Sequence, residues 1–399
     1  MENDLPKYRW VIVAMTSLTN LLGISLIGTG VTAVLLYTIK DSLSLTGVQV
    51  GLLSGAQSLV MWSAVFMGIL ADKYGVRKVC GIGLIITSFS ALLRGFTLDF
   101  WTFFLASMLC GIGTIIFIPN PPKLLRAWFT SKELGLANGI NMAGVGAGSA
   151  IAATITALYV LPAVGSWNMV YVVYSIPSFI GVILWWLLVR DNPPGKISKK
   201  TSSPFLSGFS HVAKLRSVQI LAIERVFAGL SMVAFASFLP FLLQMHGFSM
   251  QEAGLMTSTR MWLNTIGAFT IPVLSDRIKK RKPLFMLCTF FEFFSCLLMI
   301  VNVPIVLWIA PMLYGFFGGG RGSLSLTITT EDVGPALGGT ALGFLMTLGN
   351  IVGFAGSMIV GYLIDLYGSF SAPFLFSAIT AGIMMVVSVA IKETYVQKK

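Results

Sequence analysis

The chain has 399 residues, of which 56% are hydrophobic and only 11% are charged, and its formal net charge is +12. Soluble domains carry about 25% charged residues, so the composition excludes a chain that covers itself with a water-facing surface. The positive charge does not predict a nucleic-acid partner, because the basic residues lie between long apolar runs, where they report membrane topology.

Apolar runs recur along the whole chain. A helix needs about 20 residues to cross a hydrocarbon core of about 30 Å. The sequence therefore predicts an all-α integral membrane protein with twelve transmembrane helices, in the order six spans, a polar linker and six spans. The predicted spans are residues 10–38, 46–71, 77–97, 100–126, 136–162, 167–189, 217–244, 250–275, 283–302, 305–328, 336–364 and 371–392.

Basic residues predict the orientation of these spans. If both termini are cytoplasmic, 22 of the 27 Lys and Arg residues fall in cytoplasmic segments, as the positive-inside rule requires. The first apolar run is too long for a signal-peptide core. We therefore expect a multi-pass protein of the cell (plasma) membrane with cytoplasmic N- and C-termini. Its predicted parts are an N-terminal bundle (1–190), a cytoplasmic linker (191–216) and a C-terminal bundle (217–399).

A polar stretch joins spans 2 and 3 and a weaker copy joins spans 8 and 9. The first elbow is residues 68–78, and the second elbow is residues 272–282. In the first elbow, glycines permit close packing and a tight turn, while an aspartate and paired basic residues can bind one another at the helix ends. The second elbow has Pro272 and Lys279 where the first has glycines. Two such elbows predict two related halves.

The first elbow resembles the inner-loop motif of the major facilitator superfamily, Gly-x-x-x-Asp-(Arg/Lys)-x-Gly-x-(Arg/Lys)-(Arg/Lys). With the twelve spans and the central linker, the resemblance covers essentially the whole chain. It implies a secondary transporter in which two pseudo-symmetric six-helix bundles expose a central site alternately to each side. It also implies a gating role, and no substrate contact, for Gly68, Asp72, Gly75, Arg77, Lys78, Asp276 and Arg281.

Local resemblances point to one branch of that superfamily. Residues 137–140, with Gly144 and Gly148, resemble the fifth span of anion-carrying members and of cyanate- and nitrate-type permeases. The Gly-Pro pair typical of proton-driven drug exporters is absent from this span. Two departures limit the resemblance. Span 2 lacks the arginine of nitrate porters, and Ser107 stands where the fourth-span motif of the superfamily has an arginine.

Arg260 in span 8 is the leading candidate for a substrate-binding residue. It lies about 15 Å into the span at 1.5 Å per residue, and Asn264 follows it one helical turn later. A guanidinium at this depth can bind a carboxylate through two parallel hydrogen bonds. The alternative is an internal ion pair with Glu292 or Glu224.

Four other ionisable residues lie well within the predicted spans, away from their ends. Arg321 in span 10 is either a substrate ligand or a partner in the inner gate. Glu224 and Arg225 in span 7 are candidates for ion coupling, with Glu224 as the proton carrier, although structural pairing of Glu224 is the alternative. Glu292 in span 9 carries the same structural alternative. Three basic against two acidic residues favour an anion in the site.

Three amides complete the candidate substrate-binding residues. Asn20 in span 1 and Asn350 in span 11 lie in the middle of spans that line the cavity of the superfamily. Asn120 lies in the run Pro119-Asn120-Pro121-Pro122 of span 4, where the prolines break backbone hydrogen bonding and bend the helix. Each amide can instead link neighbouring helices.

The leading hypothesis is a carrier of a small organic or inorganic anion such as a carboxylate, with a proton or cation as the coupling ion. The alternative is a proton-coupled exporter of hydrophobic or cationic drug-like compounds, which the many Phe and Met residues favour. An enzyme is not expected, since the two histidines are far apart and no metal spacing or catalytic motif is present. We expect no cofactor, no nucleic-acid partner, contact with the lipid bilayer and a monomer.

Overall fold

The computed structural model describes residues 7–63, 67, 70–71, 73–130, 133–193, 212–301, 303–334 and 337–395. Contacts divide the chain into two compact units, one formed by residues 1–45 and 56–202 and the other by residues 46–55 and 203–399. Within the described ranges the regular structure is helical, which confirms the predicted all-α membrane fold. The predicted linker, 191–216, is described only to residue 193 and from residue 212.

The first unit holds most of the helices that precede the linker. In chain order, the helices up to the linker are α1 (Arg9–Thr19), α2 (Thr29–Leu43), α3 (Gly47–Leu59), α4 (Val76–Arg94), α5 (Phe100–Phe117), α6 (Pro121–Trp128), α7 (Leu134–Ile155), α8 (Leu161–Val164) and α9 (Trp167–Leu188). The first turns of α3 belong to the second unit, and its last residues belong to the first.

The second unit contains the helices that follow the linker. They are α10 (Arg216–Ala236), α11 (Leu239–Met245), α12 (Met250–Ile278), α13 (Lys282–Val301), α14 (Pro304–Val333), α15 (Gly338–Tyr367) and α16 (Ser371–Ser388). The short helix α11 begins with Pro240 in its first turn, where a missing backbone N–H costs nothing.

Nine helical segments of the described chain are long and apolar enough to cross a membrane. Helices α12 and α14, with 29 and 30 residues, fall outside this set. They are the helices that carry the buried arginines Arg260 and Arg321. Large apolar side chains such as Leu187 and Ile305 are mostly exposed, which suits a surface covered by lipid.

Several predicted spans are interrupted helices. The first span changes from α1 to a π-helical stretch at Asn20–Ser25 before α2 begins. The fourth span breaks after Phe117 and resumes as α6 at Pro121, as the proline run predicted. At each break, some backbone N–H and C=O groups lose their helical hydrogen bonds. Membrane proteins tolerate such groups only where the surrounding protein shields them from lipid.

Helices α12 and α14 pack closely through glycines of α14. A side chain at Gly315 would place its Cβ 2.3 Å from the carbonyl oxygen of Arg260, and one at Gly319 would place it 1.9 Å from that of Asn264. Only glycine therefore fits at either position. This close approach, typical of small residues spaced four apart in membrane helices, positions Arg260 and Asn264 against α14.

Candidate functional site

Arg260 is a buried arginine without a partner. It lies roughly 15 Å along α12 from Met250, the first residue of that helix, and its side chain is buried at 7% exposure. Its Nε has no hydrogen-bond partner, and no carboxylate of the described residues pairs with its guanidinium. A cation buried at this depth is costly and normally has an anionic partner. The geometry therefore leaves Arg260 available for an anion.

Two polar residues near Arg260 on α12, the predicted neighbour Asn264 and Thr257, make local hydrogen bonds. The Asn264 amide donates to the carbonyl oxygen of Gly315 at 3.3 Å, a long hydrogen bond. The Thr257 hydroxyl donates to the carbonyl oxygen of Ala253 in its own helix at 2.8 Å. Asn264 thus remains next to Arg260 with only part of its hydrogen-bonding capacity used.

An aromatic pair lies next to this part of α14. The ring of Tyr314 stacks on the ring of Phe235 from α10, with the ring centroids 4.0 Å apart. The Tyr314 hydroxyl is buried near the Ser231 hydroxyl, but no hydrogen bond of good geometry joins it to the described part of the chain. Because buried phenols normally have a partner, Tyr314 is a second polar group near Arg260 that a ligand could satisfy. Sequence reasoning missed it, although it directly precedes Gly315.

Arg321, in contrast, lies between two carboxylates. Its Nη1 donates to Glu224 Oε1 and its Nε donates to Glu292 Oε1, each at 2.7 Å. The three residues come from α14, α10 and α13, and all are buried. The second carboxylate oxygens of Glu224 and Glu292 are buried without a hydrogen bond to any described residue. We call this group the Arg321 cluster. It has a formal charge of −1 and uses the two glutamates that could have neutralised Arg260.

Arg225 and Glu224 are adjacent in sequence but separate in space. Arg225 is half-buried and makes no hydrogen bond to the described residues, whereas Glu224 is fully buried in the Arg321 cluster. The Arg225 side chain passes over Gly349 of α15, where an added Cβ would lie 3.0 Å from its Nε. Adjacent helical positions point about 100° apart, which accounts for the different surroundings of the two residues.

The predicted amides differ in how they are bound. Asn20 donates to Asn141 Oδ1 on α7 at 2.8 Å, and Asn120 donates to the carbonyl oxygen of Ile116 at 2.8 Å. Asn350 lies beside Gly349, is half-buried and has no hydrogen bond within the described ranges. Asn20 therefore links two helices and Asn120 bonds its own span, whereas the Asn350 amide is available for a ligand.

The first unit contains a buried arginine of another kind. Arg94 has no solvent exposure. It donates to the carbonyl oxygen of Ile27 at 3.0 Å, and its guanidinium lies over the rings of Phe103 and Tyr171 at 5.9 and 5.3 Å from their centroids. Its Nε and Nη2, like the Nε of Arg260, make no hydrogen bond to the described residues. A carbonyl oxygen and two aromatic faces stabilise a cation without a carboxylate, and these are contacts that Arg260 lacks.

Of the first elbow, residues 70–71 and 73–78 are described. The predicted gating residues Gly68 and Asp72 lie outside the described residues. Gly75 has a φ of +93°, a conformation that favours glycine. The backbone N–H of Arg77 donates to Asp191 Oδ1 at 2.7 Å, and the Arg77 guanidinium donates to the carbonyl oxygen of Trp186. Lys78 is exposed. Asp191 thus binds the first turn of α4, where a negative charge is favourable.

The second elbow is centred on Arg281. Its guanidinium pairs with Asp276 at 2.6 Å and with Glu331 at 3.0 Å. Burial lowers the pKa of Arg281, but the hydrogen bonds and charges of Glu331 and Asp276 outweigh it and raise the pKa above its ordinary value. Lys279, which replaces the glycine of the first elbow, has a φ of +59°. Both elbows therefore have a positive φ at this position, but Lys279 is in the left-handed helical region (φ 59°, ψ 34°) and Gly75 is not (φ 93°, ψ 143°).

Two acidic residues that sequence reasoning missed bind equivalent helices in the two halves. Glu393 accepts hydrogen bonds from the backbone N–H groups of Arg281 and Lys282 at 2.8 and 3.0 Å, as Asp191 does for Arg77. Burial raises the pKa of Glu393, but these hydrogen bonds outweigh it and lower the pKa. Asp191 follows Arg77 by 114 residues, and Glu393 follows Arg281 by 112 residues. An acidic residue at nearly the same distance after each elbow is the sequence signal that could have identified these two contacts.

A third carboxylate binds the start of α3. Asp365 on α15 accepts hydrogen bonds from the backbone N–H groups of Gly47 at 2.5 Å and Val48 at 2.9 Å. An added Cβ at Gly47 would lie 2.3 Å from the carbonyl oxygen of Gly361, so glycine is required for this approach. These residues all belong to the second unit, and Asp365 was not among the predicted site residues.

Comparison with known proteins decides the family. The family model described as "Major Facilitator Superfamily" matches residues 18–223 and 221–399. This chain belongs to the Major Facilitator Superfamily. Membership confirms the predicted family and fold and indicates a multi-pass membrane transporter rather than an enzyme. A solved structure of a bacterial homolog to the human lysosomal transporter Spinster has a TM-score of 0.81 at 18% identity and covers 96% of this chain and 98% of its own.

Relatives within the superfamily include transporters of acidic compounds. The "Probable sulfoacetate transporter SauU" of Cupriavidus necator is 25% identical, covering 86% of this chain and 85% of its own. The "Hexuronate transporter" of Bacillus subtilis is 22% identical, covering 88% and 87%. The "Probable galactarate/D-glucarate transporter GarP" of Escherichia coli is 24% identical, covering 87% of each chain.

Proposed function

We propose that this superfamily member carries a small organic anion, a carboxylate or sulfonate, across the membrane, and that Arg260 binds its acidic group. The observation that supports this most directly is the buried Arg260 guanidinium without a carboxylate partner among the described residues. Arginine suits the role because its planar fork binds two oxygens of a carboxylate or sulfonate at once.

The relatives support the same class of substrate. Sulfoacetate, hexuronate, galactarate and glucarate, named for the relatives, are all organic acids. A cationic cargo fits less well, because Glu224 and Glu292, the two carboxylates buried in the middle of the described helices, both pair with Arg321. The drug-export alternative would also leave Arg260 without a partner throughout transport.

Neutral groups near Arg260 complete the proposed binding site. Asn264 and the Tyr314 hydroxyl are positioned to bind uncharged oxygens of the substrate. Asn350 is a third candidate, since its amide is not bound within the described chain. Asn20 and Asn120, also predicted to bind substrate, stay weaker candidates because each already donates to a protein oxygen.

Ion coupling is assigned to the Arg321 cluster. Two buried carboxylates share one guanidinium, and each keeps an oxygen without a partner. A proton on either oxygen would neutralise the formal charge of the cluster, so Glu224, with Glu292, is the proposed proton site. Arg321 then acts as the fixed partner of the carboxylates rather than as a substrate ligand.

The two halves of the chain and the two elbows would provide the transport cycle. Two halves, 1–190 and 217–399, would expose the site alternately to each side of the plasma membrane, with both termini and the 191–216 linker in the cytoplasm and a monomer as the working form. The cytoplasmic gate would comprise the predicted elbow residues. They are Gly68, Asp72, Gly75, Arg77 and Lys78 in the first elbow and Asp276 and Arg281 in the second.

Counterflow in proteoliposomes tests the proposal. We expect the purified protein to exchange labelled sulfoacetate or glucarate, and Arg260→Gln to abolish the exchange while Arg260→Lys retains a small part of it. Arg216→Gln, which removes an exposed arginine at the start of α10, serves as the matched control and should exchange normally. Unchanged exchange in Arg260→Gln, or transport of cations in preference to acids, would contradict the assignment.

A further inference from the structure

Charge at the middle of the second unit is unevenly distributed. Three arginines, Arg225, Arg260 and Arg321, and two glutamates lie well inside its helices, away from the helix ends. Both glutamates pair with Arg321. Arg225 and Arg260 therefore have no ion-pair partner among the described residues, and each is at least half-buried. Guanidinium groups at this depth are costly, and an anion is one of the groups that can stabilise them.

The two unpaired arginines lie at similar depths. Arg225 is roughly 14 Å along α10 from Arg216, where that helix begins, and Arg260 is roughly 15 Å along α12 from Met250. Consecutive membrane helices run in opposite directions, so these distances are measured from opposite ends. Both guanidinium groups therefore belong to helix segments near the middle of a hydrocarbon core of about 30 Å.

The Arg225 side chain lies near the Arg321 cluster but makes no hydrogen bond or salt bridge to it. It passes over Gly349 on α15, where an added Cβ would lie within 3.5 Å of its Nε, Cγ and Cδ atoms. A glycine at this position leaves room for the guanidinium, and the unbound amide of Asn350 follows directly. Without a hydrogen bond to the Arg321 cluster, Arg225 is repelled by Arg321 and attracted by Glu224 and Glu292 through longer-range electrostatics.

We infer that Arg225 is a second anion-binding residue and that the substrate is a dianion, with one acidic group on Arg260 and the other on Arg225. This inference rests on the proposed function and narrows its substrate class. A monoanion would leave one of the two buried guanidinium groups unpaired, whereas a dianion satisfies both. Binding of a dianion would leave the Arg321 cluster with its formal charge of −1, which one proton on Glu224 or Glu292 would neutralise.

Arg225 then binds the substrate and does not couple transport to protons. A coupling residue would change the pH dependence of transport for every substrate, since the proton would move in each cycle. A residue that binds the second acidic group changes the preference between dianions and monoanions and leaves monoanion binding intact. The discriminating quantity is therefore a ratio of affinities between two ligands of nearly equal size.

The test compares malonate, succinate and glutarate with their monomethyl esters as ligands of the detergent-purified full-length protein. Each ester keeps the carbon chain and one carboxylate but replaces the second carboxylate with a neutral group. Of the three acids, we consider the one that binds most tightly. We expect it to bind at least about tenfold more tightly than its ester, because the ester loses one hydrogen bond to a charged group. In Arg225→Gln the acid and the ester should bind within about twofold of each other.

Matched variants separate the possible results. Arg216→Gln removes an exposed arginine from the same helix and should keep the preference for the diacid. Arg225→Lys keeps the charge and should keep a reduced preference, which provides the measurement if Arg225→Gln does not fold. The inference would be overturned if the wild-type protein bound the acid and its ester equally, or if it bound only monocarboxylates. It would also be overturned if Arg225→Gln kept the full wild-type preference for the diacid over its ester. If instead Arg260→Gln binds all of these acids normally, the proposed function itself fails.

Discussion

Arg260 and Arg321 are buried to nearly the same extent on neighbouring helices, with exposures of 7% and 4%, yet their surroundings are opposite. Arg321 has a carboxylate oxygen at 2.7 Å on each of two sides, whereas Arg260 has none among the described residues. Burial of a charge in a membrane helix therefore does not by itself mark a ligand residue. The presence or absence of a protein partner separates a structural ion cluster from a group that awaits a ligand.

The difference has an energetic consequence. Removing one member of a buried ion cluster leaves the other charges unpaired and is strongly destabilising. Removing a buried charge that has no partner relieves a cost instead. The two arginines should therefore respond in opposite ways to the same substitution, and this contrast can be measured without knowing the substrate.

The largest effect is expected for Arg321→Met. The substitution leaves Glu224 and Glu292 buried without their cation, and it should lower the free energy of unfolding by about 3–5 kcal/mol, measured as a marked fall in the melting temperature of the protein in detergent. Adding Glu224→Gln and Glu292→Gln to Arg321→Met should recover much of the loss. If Arg321→Met melts like the wild type, the cluster is not a structural ion group.

An intermediate effect is expected for Arg94→Met in the first unit. It removes the hydrogen bond to the Ile27 carbonyl oxygen and the contacts with the Phe103 and Tyr171 rings, and it should cost about 1–3 kcal/mol in the same melting measurement. Anion binding should be unchanged, because the Arg94 guanidinium is held by the Ile27 carbonyl oxygen and two aromatic rings, even though its Nε and Nη2 make no hydrogen bond to the described residues. Loss of binding with no loss of stability would place Arg94 in the same class as Arg260.

The smallest effect is expected for Glu292→Gln. Arg321 keeps Glu224 at 2.7 Å, so the cluster becomes a neutral pair and the melting temperature should change by the equivalent of no more than about 1 kcal/mol. Proton coupling should weaken, because one of the two carboxylates proposed to accept the proton is gone. The comparison to make is anion uptake with and without an inward proton gradient, and uptake that keeps its full dependence on the gradient would remove Glu292 from the proton site.

The twelve spans could be predicted because long apolar runs and interspersed basic residues report directly on membrane helices. The repeated elbows were predicted from a short motif, and Lys279, which stands where the first elbow has Gly75, adopts the left-handed region at a cost of roughly 1 kcal/mol. Helix counting also placed Arg260 near mid-depth. These features depend only on the order of residues along the chain.

Partners could not be predicted in the same way. Glu224 and Arg225 are adjacent, but the rotation of α10 places one against Arg321 and the other against Gly349. Whether Glu224 or Glu292 would pair with Arg260 or Arg321 depended on how neighbouring helices are rotated and how closely they approach. Glycines such as Gly315 and Gly319 determine that approach, and their partners become visible only in three dimensions.

The most direct test of the central claim is the melting temperature of Arg260→Met with and without a small organic anion, chosen as the one that most stabilises the wild type in a panel of malonate, succinate and sulfoacetate. A ligand at about 100 times its Kd stabilises the folded wild type by about 2.7 kcal/mol. We predict that empty Arg260→Met melts at or above the wild-type temperature and shows no shift with the anion. A full ligand-induced shift in Arg260→Met, or a loss of stability as large as that of Arg321→Met, would contradict the account.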